Sequence, residues 1–228
     1  MVSISLKRLC AAGAMLFASA ATAMAGDLNP PPWRGDPLST YQVWGMGQPD
    51  PIPQPPDQLF QNPSLTGPVF MDLQGAMGML PNWLPEVTTS TGVGSGVWCL
   101  WPQEALYFSI PNYDNHNPFK YVRLQFKVFN PSAPPGTTGD LRVEVTGDFL
   151  GASGDFTGFQ PLPNGFVNVT VDIFLEPNPS FEVIYIRNIK NSQIYIDQVV
   201  IDTICVPGAP AFGLAGIVGL AAFRRRRA

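Results

Sequence analysis

An antiparallel, all-β fold of two facing sheets is predicted for this chain by three observations. Short segments such as "KYVRLQFKVFN" and "GFVNVTVDIFL" alternate apolar and polar residues with a period of two. No segment of the body sustains a helical period. The 25 Pro and 22 Gly among 228 residues divide the chain into strand-length pieces.

The first element is not part of that fold. "MVSISLKRLCAAGAMLFASAATAMAG" opens with Lys7 and Arg8, continues through an apolar run from Leu9 to Ala20, and ends with Ala23 and Ala25 as the small residues of an A-x-A cleavage site. This is the pattern of a secretory signal peptide over residues 1–25, with Gly26 beginning the mature chain. The apolar run is too short to span about 30 Å of hydrocarbon.

Residues 26–96 are dense in Pro and Gly, as in "NPPPWRGDPLSTYQVWGMGQPDPIPQPPD". Proline removes donors and fixes φ, so regular helices cannot run through this stretch. One strand is predicted from Ser39 to Met46, where β-branched and aromatic residues cluster, and one helical turn in "DQLFQNPSL". The remainder is expected as long ordered loops.

From Val97 the pattern changes. "VWCLW", "EALYFSI", "KYVRLQFKVFN", "DLRVEVTGDFL", "GFVNVTVDIFL", "SFEVIYIRNI" and "SQIYIDQVVIDTI" are short runs set apart by Pro, Gly and Asn. Val122, Leu124, Phe126 and Val128 face one way, and Arg123, Gln125 and Lys127 the other; Val167, Val169, Val171 and Ile173 alternate likewise with Asn168, Thr170 and Asp172. These are half-buried antiparallel strands. Seven such runs over residues 97–205, with the early strand, predict a jelly-roll-like sandwich, with 26–205 forming one domain.

Charge excludes one function class. Removing the six basic residues of the two ends from the 13 Lys+Arg leaves seven against 17 Asp+Glu, a net −10. Such a surface repels phosphate backbones, so no nucleic acid is expected as a partner.

Export places Cys99 and Cys205 in an oxidising compartment, and one intramolecular bridge between them is expected. It would close a loop of over 100 residues and stabilise by about 4–5 kcal/mol in the chain-entropy model. The alternatives are two buried thiols or an intermolecular bridge.

The last element, residues 206–228, reads "VPGAPAFGLAGIVGLAAFRRRRA". About fifteen apolar residues rich in Gly and Ala are short for a permanent span, which needs about 20. The arginines fit the cytoplasmic side. A marginal helix with that flank suits a transient membrane stop, the logic of a processed C-terminal signal.

On these residues the tail resembles the PEP-CTERM sorting signal of exopolysaccharide-producing Gram-negative and planctomycete-type bacteria. The matching positions are Val206, Pro207 and Pro210, the apolar helix, and Arg224, Arg225, Arg226 and Arg227. The usual Glu between the prolines is absent. The resemblance covers about 23 residues. It implies an exosortase-type processing enzyme as partner, a transient stay in the inner membrane through a C-terminal helix, and a final place at the cell surface or outside the cell, near exopolysaccharide. The alternative is an ordinary membrane anchor. With the N-terminal signal, helices are thus expected at both ends of the chain.

"PNPSFEVIYIRNIKNSQIYIDQVVIDTIC" resembles the closing strands of jelly-roll domains in secreted bacterial proteins, including many carbohydrate-binding modules. "PPWRGDPLSTYQVW" resembles openings of PEP-CTERM proteins. The first resemblance implies Asp197 as a candidate ligand of a structural calcium ion, with Asp27 or Asp36 as partners, since calcium takes carboxylate and carbonyl oxygens.

Catalytic signatures are sparse. His116, in "PNYDNHNP", is the single histidine, and neither H-E-x-x-H nor G-x-S-x-G occurs. A glycosidase needs only two carboxylates about a cleft, for which Asp197 with Asp202, or Glu144 with Asp172, are the pairs to inspect. No cofactor and no enzyme activity are expected. Aromatic residues suit a sugar-binding role, because sugar C–H faces pack on rings while polar groups take the hydroxyls. Trp101 and Tyr113 are the surface candidates. Arg34-Gly35-Asp36 and the sequon Asn168-Val169-Thr170 are read as incidental.

Overall fold

The computed structural model describes residues 27–206 apart from 28, 50, 66, 77, 114–116, 135–137, 139–140, 148–151 and 191. Ala23, Ala25, His116, Pro207, Pro210 and the arginines Arg224, Arg225, Arg226 and Arg227 lie outside the described residues.

The described chain is all-β. Its strands are β1 (Ser39–Trp44), β2 (Gln58–Asn62), β3 (Phe70–Gln74), β4 (Asn82–Thr88), β5 (Val93–Leu100), β6 (Ala105–Pro111) and β7 (Phe119–Phe129), then β8 (Leu141–Gly147), β9 (Ala152–Ser153), β10 (Asp155–Pro161), β11 (Val167–Leu175), β12 (Phe181–Asn188) and β13 (Ile194–Val206). The large sheet runs β10-β11-β7-β13-β1-β2, with the β4–β5 hairpin also attached to β13; the small sheet runs β3-β6-β12-β8-β9. All pairings between these strands are antiparallel.

The alternation expected for β7 and β11 is present. Val122, Leu124, Phe126 and Val128 join Val167, Val169, Val171 and Ile173 in one buried cluster with Phe108, Ile184 and Ile186 of the small sheet. Trp44 packs its ring edge-on against Phe108, centroids 4.9 Å apart, closing the gap between the sheets. That burial is the main favourable term for the sandwich.

β13 organises the large sheet. One edge pairs with β7 over nearly its whole length. The other edge is shared: Ile194–Ile196 pair with β5, and Val199–Ile204 with β1. β1 and β5 therefore meet end to end, and Gly96 sits at the junction with φ +66. A Cβ there would stand 2.8 Å from the Cα of Gly47, so only glycine allows the approach. A bulge between Ile196 and Gln198 leaves Asp197 as the extra residue. It shifts the inward set from Ile194 and Ile196 to Val199 and Ile201.

One end of the interior is polar. Lys120 and Glu182, from opposite sheets, form an ion pair with neither side chain accessible to solvent. Thr40 and Thr203 share a 2.8 Å hydrogen bond there, and Gln42 donates to Thr40 Oγ1.

Three sequence expectations are corrected. "DQLFQNPSL" holds a strand, β2, instead of a helical turn, and residues 70–74 and 82–88 form β3 and β4 where loops were expected. β2, β3 and β4 are edge strands, which tolerate proline: Pro85 sits within β4 without breaking it. The expected Cys99–Cys205 bridge is absent; both are free, buried thiols. Cys99 pairs with Tyr195 at one end of β13, while Cys205 lies ten residues further along, opposite Lys120. That is about 30 Å of strand, against the roughly 7 Å between Cα atoms that a disulfide can span.

Candidate binding site

The outer face of the large sheet carries the site. Along β7, Arg123, Lys127 and Phe129 alternate with the core residues Leu124, Phe126 and Val128 and so point away from the small sheet. Tyr195 does the same between Ile194 and Ile196. Register places Phe129 opposite Tyr195, and their rings stack with centroids 5.9 Å apart. Phe166 packs against Phe129 at 5.7 Å. It can do so because Gly94 faces it: a Cβ on Gly94 would lie 2.4 Å from the Phe166 ring.

Two turns wall this aromatic floor. Thr89 opens the turn after β4 in the β4–β5 hairpin; its hydroxyl donates to Asn164 O at 2.6 Å, in the β10–β11 turn, and accepts from the amides of Thr91 and Gly92. The β10–β11 turn closes on itself through Leu162 and Gly165. Beyond β7, Asn130 Oδ1 accepts from Ser132 N and shapes the third wall. The result is a cleft of about 610 Å³ lined by Thr88, Ser90, Thr91, Phe129, Phe166 and Tyr195, with Pro131, Pro134, Pro161 and Pro163 among its walls. Thr88, Ser90 and Thr91 are exposed. Burial pushes the Tyr195 phenol up from its ordinary value, so it stays a neutral hydroxyl. Rings below and hydroxyls on the rim are what a neutral sugar requires, apolar C–H faces against aromatics and polar groups at the edge.

The middle of the same face is covered by the segment before β1. Asn29 N donates to Gln125 Oε1 at 2.9 Å, and Gln125 Nε2 donates to Asp27 Oδ1 at 2.9 Å. Arg34 grips both Oδ atoms of Asp202, at 2.6 and 2.5 Å, also pairs with Asp27, and lies 4.0 Å over the Tyr41 ring. The guanidinium of Arg34-Gly35-Asp36 is therefore committed to a structural clasp. Burial raises the Asp202 carboxyl to about 6, with the Arg34 hydrogen bonds and charge drawing it back.

The residues expected from sequence disperse. Trp101, 45% exposed, is at the surface in the turn after β5 and lies outside the cleft wall. Tyr113 is corrected from a surface residue to a buried one. It is 7% exposed and its hydroxyl donates to Pro63 O at 2.7 Å and Ser39 O at 3.0 Å, tying a loop down where backbone carbonyls need a donor. Asp197 stands 3.9 Å from Lys127, while Asp27 belongs to the Arg34 clasp. Burial raises Asp197, against the pull of Lys127. No group of three or more His, Cys, Asp or Glu positioned for a metal occurs among the described residues.

The carboxylate pairs also part. Asp202 is under Arg34, Glu144 faces Arg142 and Arg187 on the small sheet, and Asp172 pairs with Arg123 on the large one. Cys99 is pushed up to about 11 by burial and then by Glu104, so it is a thiol and not a thiolate. Val206 ends β13 opposite Phe119.

Sequence reasoning missed Phe129, Phe166, Tyr195 and the rim Thr88, Ser90 and Thr91. "TTSTGVGSG", a hydroxyl run leading into glycines, was the available signal. Only the register of β7 with β13 brings the rings to it.

No family model matches the chain, and no curated protein matches it. Among solved structures, a family GH115 4-O-methyl-alpha-glucuronidase with specificity for decorated arabinogalactans is similar at 18% identity and a TM-score of 0.30, over 53% of this chain and 16% of that one.

Proposed function

We propose that this chain is an exported bacterial surface or matrix protein, non-catalytic, that holds exopolysaccharide in the cleft of its large sheet. Export rests on the signal pattern ending at Ala23 and Ala25. Retention and release rest on the tail: the stretch from Val206 to Pro210 with its apolar run and four arginines holds the chain in the inner membrane as a helix until an exosortase-type enzyme removes it. In this reading the sandwich is of jelly-roll type, with β13 as its closing strand.

The observation that carries the binding role is the Phe129–Tyr195 stack beneath the hydroxyl rim of Thr88, Ser90 and Thr91. Among the described residues no second sheet covers this ring pair on the outer face, and Phe166 packs beside it. The pair offers the flat apolar surface on which a sugar ring sits. The lining combines rings, hydroxyls and prolines with aliphatic side chains such as Val87 and Leu162 and carries no charged group among the described residues, which suits a neutral glycan. A defined sugar site, as in a carbohydrate-binding module, is the more specific form of the same reading. Affinity electrophoresis of the mature chain through gels containing neutral glucans, mannans and galactans tests it. At least one polymer retards the wild type, and Tyr195→Ala abolishes the retardation while thermal unfolding stays cooperative. Equal mobility of wild type and variant in every gel overturns it.

A further inference from the structure

We propose that the polar pocket beside the cleft is a second sugar subsite, so that the large sheet takes an extended neutral chain and not a single terminal sugar. This rests on the reading of the cleft given above. The pocket, of about 300 Å³, is lined by Asn29, Gly158, Phe159, Gln160, Asn168 and Thr170. Asn168 is the informative residue. It is 3% exposed, it lines the pocket, and its Oδ1 has no hydrogen-bond partner. A buried carbonyl oxygen left so is costly, and a ligand hydroxyl donating to it removes the cost.

The surrounding groups suit the same ligand. Gln160 is the cross-strand neighbour of Asn168, on an edge strand and exposed. Thr170 Oγ1 accepts from Asn29 Nδ2 at 3.4 Å, a weak bond that leaves the hydroxyl free to reorient. Gly158 faces Thr170, and a Cβ there would meet Thr170 only at ordinary contact, 3.5 Å, so a larger side chain at 158 fits without a clash at its Cβ and occupies the pocket. Amides and hydroxyls without a charged group fit the hydroxyls of a neutral sugar.

Pocket and cleft adjoin. Pro161 and Val167, the next residues along β10 and β11 from Gln160 and Asn168, line the cleft. Asn168 pairs with Lys127, two residues along β7 from Phe129. Two residues of strand and one strand spacing put about 8 Å between the subsites, a separation that an oligosaccharide bridges and one sugar ring does not.

The experiment is calorimetric titration of the mature protein with neutral oligosaccharides of the class that binds the cleft, from disaccharide to hexasaccharide. Wild type is expected to gain about tenfold or more in affinity with length. Asn168→Ala and Gly158→Val, which removes the acceptor and fills the pocket respectively, flatten that gain and leave disaccharide binding unchanged. A hexasaccharide no tighter than the disaccharide, or a length gain that survives both variants, overturns the subsite while leaving the cleft intact. Absence of binding at every length overturns the cleft reading and the subsite with it. Asn168→Ala separates a binding role from a structural one: a merely structural Asn168 moves the unfolding midpoint and not the length dependence.

Discussion

Removing one member of the Lys120–Glu182 pair should cost far more than removing both. The two side chains come from opposite sheets and neither reaches solvent. Lys120→Met leaves the Glu182 carboxylate, and Glu182→Leu the Lys120 ammonium, buried without its counter-charge. Breaking a buried pair in this way costs about 3–5 kcal/mol. For a sandwich of this size, where 1 kcal/mol shifts Tm by about 2–4 °C, each single variant loses about 6–20 °C. The double variant replaces both charges by apolar groups of similar volume, and should lie within about 1 kcal/mol of wild type or above it. Urea unfolding of the four proteins, with equal m-values as the check that the transition is unchanged, yields the coupling energy directly. A double variant as unstable as the sum of the singles would refute the reasoning, because the charges would then not be each other's compensation. Single variants each costing under about 1 kcal/mol would refute it too, by showing that water reaches the pair.

Asp202→Asn tests the clasp by pH. The folded carboxyl lies at about 6 against 3.8 ordinarily, so it holds its proton more tightly folded than unfolded. Its contribution is full below 3.8 and is lost as pH rises through about 6. Urea midpoints over that window should fall with pH more steeply in wild type than in the Asn variant; parallel slopes contradict the assignment. Gly94→Ala should expel Phe166 from its seat, where a Cβ would come within 2.4 Å. It is expected to destabilise by about 1–3 kcal/mol and to weaken binding to neutral polysaccharide in the affinity gels, whereas unchanged mobility means Phe166 does not shape the cleft. The mature chain should present two thiols to Ellman's reagent after unfolding without reductant, and almost none while folded, since both are buried. No thiols after unfolding would restore the bridge.

The strands readable from sequence are the ones with a neighbour on both sides. β7 and β11 declare themselves because Val122 to Val128 and Val167 to Ile173 must bury every second residue. β2, β3, β4, β9 and β10 sit at sheet edges. Gln58–Asn62 is partly or fully exposed along its whole length, so nothing forces alternation there, and the prolines around it pointed to loop. Even the bulge was in the sequence: "IYIDQVVID" slips its apolar period between Ile196 and Val199, and Asp197, conspicuous as a possible ligand, is the residue the slip ejects. The site was less legible for a different reason. Phe129 and Tyr195 look like ordinary members of alternating strands, 66 residues apart, and only long-range register stacks them. Tyr113 misled in the opposite sense: a turn-rich setting suggested exposure, while its hydroxyl turns inward to donate to the carbonyls of Ser39 and Pro63.

The central claim is that the rings and hydroxyls of one cleft meet the sugar. Amide and aromatic NMR shifts of the mature chain, followed during titration with a neutral disaccharide, test it most directly. The account predicts the largest, saturating changes at Thr88, Ser90, Thr91, Phe129, Phe166 and Tyr195, with Trp101 and the Arg34 clasp unmoved. Changes centred on Trp101, or on the small sheet, would contradict it.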